Sequence, residues 1–154
     1  MRYLGLMLVL LVFSGCGAAP PPEVVEEAAP PPAPRDESHR FPTQGRVETA
    51  VVEGHVLDRD FLPAGNVATY ELDGQEFTVF IVSYESSDKA GLAAFDIKGH
   101  FTDPKFVAHF GGFHGTEGGE PWFIFPKNKA VGGVVGLPLE DADQFARKFA
   151  GLME

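Results

Sequence analysis

A hairpin near the middle of the chain is the feature that most constrains the fold. Asp73-Gly74 is a residue pair that tight two-residue β-turns prefer, because both central positions of such a turn need a left-handed backbone. Residues 67–72 before the pair and 76–84 after it are rich in β-branched and aromatic side chains. The pattern therefore predicts two antiparallel strands joined at Asp73-Gly74, with a sheet built around them.

Four more segments have the composition of strands, and two have the spacing of helices. The strands are predicted over residues 47–57, 106–113, 122–125 and 130–135. A first helix over about 88–98 begins after Ser86-Ser87-Asp88 and has Leu92 and Phe95 on one face. A second helix begins at Pro138, and its apolar residues recur at intervals of three and four: Leu139, Ala142, Phe145, Ala146, Phe149 and Leu152.

The order of these elements, βββα followed by βββα, predicts one α+β domain over residues 46–154. We expect a mostly antiparallel sheet of about six strands, because consecutive strands are joined by short turns. We also expect both helices to pack on one face of this sheet. In that arrangement the other face carries no helix.

Residues 1–15 have the composition of an export signal. Arg2 precedes an apolar run of about ten residues, which is too short to cross a membrane because a spanning helix needs ~20. The run ends in Phe13-Ser14-Gly15-Cys16, where one bulky and two small residues precede a cysteine. This site resembles the lipobox of bacterial lipoproteins. The resemblance implies that residues 1–15 are removed and that acyl chains are attached to Cys16.

Cys16 is the only cysteine of the chain, so no disulfide can form within it and lipid attachment is its predicted role. No cofactor is predicted apart from this covalent lipid. Gly17 follows Cys16 at the position where an aspartate signals retention in the inner membrane of enteric bacteria. The resemblance therefore implies an exported, lipid-anchored protein. In a Gram-negative host it favours the periplasmic side of the outer membrane.

Residues 16–45 are predicted to form a disordered tether, because they contain two Pro-Pro-Pro runs and almost no large apolar residue. A docking role for these prolines is the alternative. Removal of residues 1–15 takes away Arg2 and no acid, which leaves a formal charge of −11. So acidic a chain repels phosphate, which argues against nucleic acid as a partner and against flat binding to anionic lipid.

Residues 109–123, HFGGFHGTEGGEPWF, contain the best candidates for metal ligands. His109 and His114 are five positions apart, so in one strand they point to opposite faces. They can share an ion only if Gly111-Gly112 form a β-bulge that changes this alternation. Glu117 or Glu120 could then complete a His-His-carboxylate site. Otherwise the histidines are edge or cap residues.

Aromatic residues in the same region are candidates for a binding face. Phe110, Phe113, Trp122 and Phe123 could line an apolar groove for a protein or a small ligand. The alternative is that they form the core. Alternation places Phe123 on one face and Trp122 on the other, so two helices on one side of the sheet would leave one of these side chains for a partner.

Catalytic patterns are weak in this chain. It has no GxSxG motif and no cysteine besides Cys16, and nothing selects a pair among its loop carboxylates. Beyond the lipobox, the domain resembles only uncharacterised bacterial lipoprotein domains. The sequence favours a non-catalytic, membrane-tethered lipoprotein that binds a protein or a small apolar ligand in the cell envelope. A metal-binding periplasmic protein using His109 and His114 is the alternative, and a hydrolase of unknown type is the third hypothesis.

Overall fold

The computed structural model describes residues 34–154, and the predicted signal peptide, Cys16 and the tether up to residue 33 lie outside the described residues. The described part is α+β, as predicted, with an antiparallel sheet and two helices. The strands and helices are β1 Arg46–Val52, β2 Gly65–Leu72, β3 Gln75–Ser83, α1 Ser87–Lys98, β4 Thr102–Val107, β5 Gly112–Glu117, β6 Glu120–Lys127, β7 Ala130–Val135 and α2 Leu139–Leu152, with 3-10 turns η1 Ser38–Arg40 and η2 Val56–Asp58.

The sheet has the strand order β1-β2-β3-β7-β6-β5-β4, and every neighbouring pair is antiparallel. The predicted hairpin is confirmed, since Leu72 pairs with Gln75 across a turn in which Asp73 and Gly74 have φ angles of 51° and 77°. The pairing of β3 with β7 joins a three-stranded and a four-stranded meander into one sheet.

The sheet has seven described strands rather than about six, because the single strand predicted over residues 106–113 is the end of one strand and the start of another. The chain turns between β4 and β5, where the amide of Phe110 donates to the carbonyl of Val107 and Gly111 has a φ of 64°. The order is therefore βββα followed by ββββα. The pattern concealed this turn because apolar residues continue on both sides of it.

The two helices pack on opposite faces of the sheet, so the prediction that both lie on one face is wrong. Side chains alternate along β3 and β6, and both faces of these strands are apolar. Each face of the sheet must therefore be shielded from water by a helix of its own. The α2 core contains Phe77, Val79, Ile81, Phe123 and Phe125 of the sheet. The α1 core contains Phe80, Val82, Trp122, Ile124 and Val131.

The ordered domain begins before residue 46, so residues 34–45 are part of the fold rather than of the tether. Phe41 is buried in the α2 core and stacks on Phe149 with ring centroids 5.6 Å apart. The Tyr70 hydroxyl donates to the Pro42 carbonyl at 2.7 Å, and the side chain of the buried Asn66 hydrogen-bonds residues 35 and 37. These contacts hold the segment on the sheet, although its composition resembles that of the tether.

Candidate functional site

His109 lies in the turn between β4 and β5 and contacts α2. Its Nε2 donates to Oδ1 of Asp143 at 2.5 Å, and the guanidinium of Arg147 lies 2.8 Å from the same ring nitrogen. Nε of Arg147 donates to Oδ2 of Asp143 at 2.9 Å. Burial raises the pKa of Asp143, but hydrogen bonds and charges from His109 and Arg147 outweigh this effect and hold the pKa below its ordinary value. His109 therefore fastens the turn to the helix.

His114 lies in β5, and its cross-strand partners are Phe123 of β6 and Lys105 of β4. Directly paired residues share a face, so His114 lies on the α2 side of the sheet. Its Nε2 is buried and has no hydrogen-bond partner among residues 34–154. Burial, with a smaller contribution from the charge of Lys105, lowers the pKa of His114. The charged form of the imidazole is therefore disfavoured relative to a solvent-exposed histidine.

The two glutamates of the predicted metal site lie on the other face. Glu117 and Glu120 pair with each other at the β5–β6 turn, and alternation places both on the α1 side. Glu117 accepts a hydrogen bond from Nε of Arg59 at 2.8 Å. The structure therefore separates these carboxylates from His114. Within residues 34–154 no three His, Cys, Asp or Glu side chains are grouped so that they could hold a metal ion.

The β-bulge on which the metal hypothesis depended is not formed, because Gly111 belongs to a turn and Gly112 begins β5. The two histidines are consequently not in one strand, and the alternation rule does not relate them. Glycine pairs mark bulges as well as turns, so the sequence alone does not distinguish the two.

The four aromatic residues predicted to form one binding face are divided between two cores. Trp122 and Phe123 are fully buried on opposite sides of β6. Phe110 packs against Phe123 in the α2 core with ring centroids 5.3 Å apart, whereas Phe113 packs against the α1 core. The four residues therefore do not line a single groove, and Trp122 and Phe123 follow the alternative in which they form the core, because each face of the sheet is covered by its own helix.

Phe113 nevertheless belongs to an exposed apolar surface, which we call the α1–β4 surface: Leu92, Phe95, Phe106 and Phe113. Leu92, Phe95 and Phe106 are 66%, 57% and 64% exposed. The Phe113 ring lies between the other two rings, with centroids 6.2 Å from Phe95 and 5.6 Å from Phe106. Nζ of Lys98 is 3.7 Å from the centroid of Phe95, which is a cation–π contact.

The α1–β4 surface follows from the way in which α1 is oriented on the sheet. Its buried residues are Ala90, Ala94 and Ile97, so two alanines and one isoleucine face the sheet. Leu92 and Phe95 share a face, as predicted, but that face points to solvent. The usual expectation that the larger apolar residues of a helix are buried conceals this surface in the sequence. The spacing of Ala90, Ala94 and Ile97 is the one signal that could have indicated it.

No family model, no curated protein and no solved structure matches this chain. Among the described residues, no helix is long and apolar enough to cross a membrane. The geometry of residues 34–154 is therefore the basis for a functional proposal.

The lowered pKa of His114 predicts a pH dependence of stability. Between that lowered pKa and the ordinary value of 6.5, the unfolded chain binds a proton that the native domain does not. The stability that His114 contributes by remaining unprotonated is therefore fully present above pH 6.5, and it is lost as the pH falls from 6.5 through the lowered pKa of His114.

Urea unfolding at a series of pH values gives the free energy of unfolding as a function of pH. The slope of this free energy against pH should be smaller for His114→Gln than for the parent protein. The control His39→Gln changes an exposed histidine and should keep the parental slope; equal slopes for both variants would contradict the assignment.

Proposed function

We propose that the protein is a non-catalytic, exported lipoprotein whose acidic domain binds a protein partner in the cell envelope through the α1–β4 surface. The observation that carries this proposal is the orientation of α1. Leu92 and Phe95 are exposed, whereas Ala90, Ala94 and Ile97 of the same helix are buried against the sheet. These apolar side chains are not used by the core, and Phe113 connects Phe95 to the exposed Phe106, which favours an intermolecular role.

The shape of the surface favours a protein over a small ligand. Small-molecule sites are concave and enclose most of the ligand, whereas Phe95 and Phe106 each expose more than half of their surface. Protein interfaces have aromatic side chains at their centres and polar residues at the rim. Lys98 stands beside Phe95 and Phe113 and provides a cation for an acidic group of the partner.

The lipid anchor and tether support a partner within the envelope. Attachment of acyl chains at Cys16 would hold the domain at a membrane, since two or three chains bind a bilayer stably. Seventeen residues separate Cys16 from the first described residue. If extended, they reach roughly 50 Å at a rise of about 3.1 Å per residue. The acidic charge of the chain is consistent with a protein partner and opposes binding to nucleic acid.

Photo-crosslinking in intact cells tests this proposal. A benzoylphenylalanine at Phe106 is expected to give a defined crosslinked species in the full-length chain. The matched control is Val47, which is also 64% exposed but lies on β1 at the other edge of the sheet. In a Cys16→Ser chain, which lacks the proposed lipid site, the crosslink should be lost. Equal crosslinking from positions 47 and 106, or none from 106, would count against the α1–β4 surface.

A further inference from the structure

The outer side of α1 carries five residues that we call the α1 stripe: Asp88, Gly91, Leu92, Phe95 and Lys98. Their spacing of three and four positions places them along one side of the helix, whereas the residues that pack on the sheet lie along another. Leu92 and Phe95, at the centre of the stripe, are exposed. Since α2 covers the other face of the sheet, no helix among residues 34–154 packs on the α1 stripe.

Gly91 lies in the interior of α1, where a glycine weakens a helix. A Cβ atom at this position would have no heavy atom within 4 Å beyond the backbone of its own helix turn. The packing of the domain therefore gives no reason for a residue without a side chain. A contact with a second helix does, because two helices approach more closely when the side chains between them are small.

The two ends of the α1 stripe carry opposite charges. Among residues 34–154, neither Asp88 nor Lys98 takes part in an ion pair. Nζ of Lys98 is 3.7 Å from the centroid of the Phe95 ring, so its positive charge lies on the stripe. The stripe thus begins with an acid and ends with a base, and its two large apolar residues lie between them. Such an order is complementary to a copy of itself that runs in the opposite direction.

An antiparallel second copy of α1, centred between Ala93 and Ala94, matches the stripe residue by residue. Leu92 of each copy then lies opposite Phe95 of the other. Asp88 lies one residue, or ~1.5 Å, from the position opposite Lys98 of the second copy, which the long lysine side chain can reach. A two-fold axis repeats each contact, so two ion pairs flank two apolar contacts. The charges of the stripe cancel, although the chain as a whole has a formal charge of −10.

We propose that the partner of the α1–β4 surface is a second copy of this chain, docked antiparallel through the α1 stripe. This inference rests on the proposed function, because it names the partner of the same surface. A contact centred on one pair of helices is small, and small interfaces are weak in solution. Attachment of both copies to one membrane would raise their effective concentration and compensate for this weakness.

An exchange of the two charges tests the pairing. Two differently tagged full-length chains are expressed together, and capture of one from a detergent extract is scored for the other. With Asp88→Lys in both chains, or Lys98→Asp in both, like charges meet at both ends of the contact. Each variant should then lower co-capture by about tenfold, since the two-fold axis doubles the effect of a modest surface ion pair. With Asp88→Lys in one chain and Lys98→Asp in the other, opposite charges meet again, and co-capture should return to near the parental level.

Asp141→Lys is the matched control, because Asp141 is an exposed acid in the first turn of α2 as Asp88 is in the first turn of α1. It should leave co-capture unchanged. The mixed pair controls for folding, since each of its chains still carries its own substitution. Equal co-capture in all pairings, or a mixed pair captured no better than the single-variant pairs, would overturn the proposal.

Photo-crosslinking from position 106 separates this inference from the proposed function. A crosslinked species that contains both tags supports self-association. A crosslink from position 106 only to a different envelope protein would overturn the inference and leave the proposed function standing. If position 106 gives no crosslink, both are overturned.

Discussion

Replacement of Gly112 by alanine is expected to destabilise the domain by about 3 kcal/mol or more, because overpacking against a rigid neighbour is costly. A Cβ atom at this position would lie 2.2 Å from the carbonyl oxygen of Ile124 and 2.9 Å from the Cα of Phe125. Both atoms belong to the backbone of β6, so a change of rotamer cannot relieve the contact. The β5–β6 pairing must shift instead.

Urea unfolding of Gly112→Ala and of Gly54→Ala measures this effect. A Cβ atom at Gly54 would have no heavy atom within 4 Å, so the same chemical change should alter stability by no more than ~0.5 kcal/mol. If Gly112→Ala is as stable as Gly54→Ala, the described start of β5 and its turn at Gly111 are incorrect.

Truncation of Phe149 to alanine is expected to cost about 3–5 kcal/mol, as is usual for a buried phenylalanine. Phe149 is fully buried, and its ring contacts those of Phe41, Phe125 and Phe145 at centroid distances of 5.6, 5.8 and 6.4 Å. The residue thus joins α2, the sheet and the segment before β1. Its loss should also increase amide exchange in residues 34–45, because Phe41 loses its stacking partner.

Leu152→Ala is the matched control in the same helix, since Leu152 is 46% exposed. Denaturant unfolding should show a loss below about 1 kcal/mol for this variant, in line with surface substitutions. Similar losses for the two variants would mean that α2 does not present Phe149 to the sheet.

The elements governed by local chemistry could be predicted from the sequence. Asp73-Gly74 specified the β2–β3 hairpin because the required backbone conformation belongs to those two residues. The spacing of Ala142, Phe145, Ala146 and Phe149 specified both α2 and its buried face. Leu139 and Leu152, at the two ends of the same pattern, are 39% and 46% exposed.

The placement of the helices could not be predicted, because it depends on contacts between distant parts of the chain. Phe123 and Trp122 show that both faces of β6 are apolar, but alternation does not say which helix covers which face. The same limit applies to α1, because the sequence does not show whether the face with Ala94 or the face with Phe95 packs on the sheet. In the structure the face with Ala94 packs on the sheet.

The candidate metal site rests on a local assumption that the fold does not meet. It requires His109 and His114 to be members of one strand, so that their geometry depends on a bulge at Gly111-Gly112. A turn at Gly111 instead sends His109 to Asp143 on α2 and leaves His114 in β5. This turn is set by the pairing of β4 with β5, and β4 lies outside residues 109–123.

Hydroxyl-radical footprinting of Phe106 and Phe95 tests the central claim most directly, because it measures whether the α1–β4 surface is free in the isolated protein and covered in the cell envelope. In the purified protein we expect both rings to be oxidised readily, in line with their exposure. In membranes from cells that express the full chain we expect their oxidation to fall while that of Val47 is unchanged. Equal oxidation of Phe95 and Phe106 in the two preparations would contradict the proposed interface.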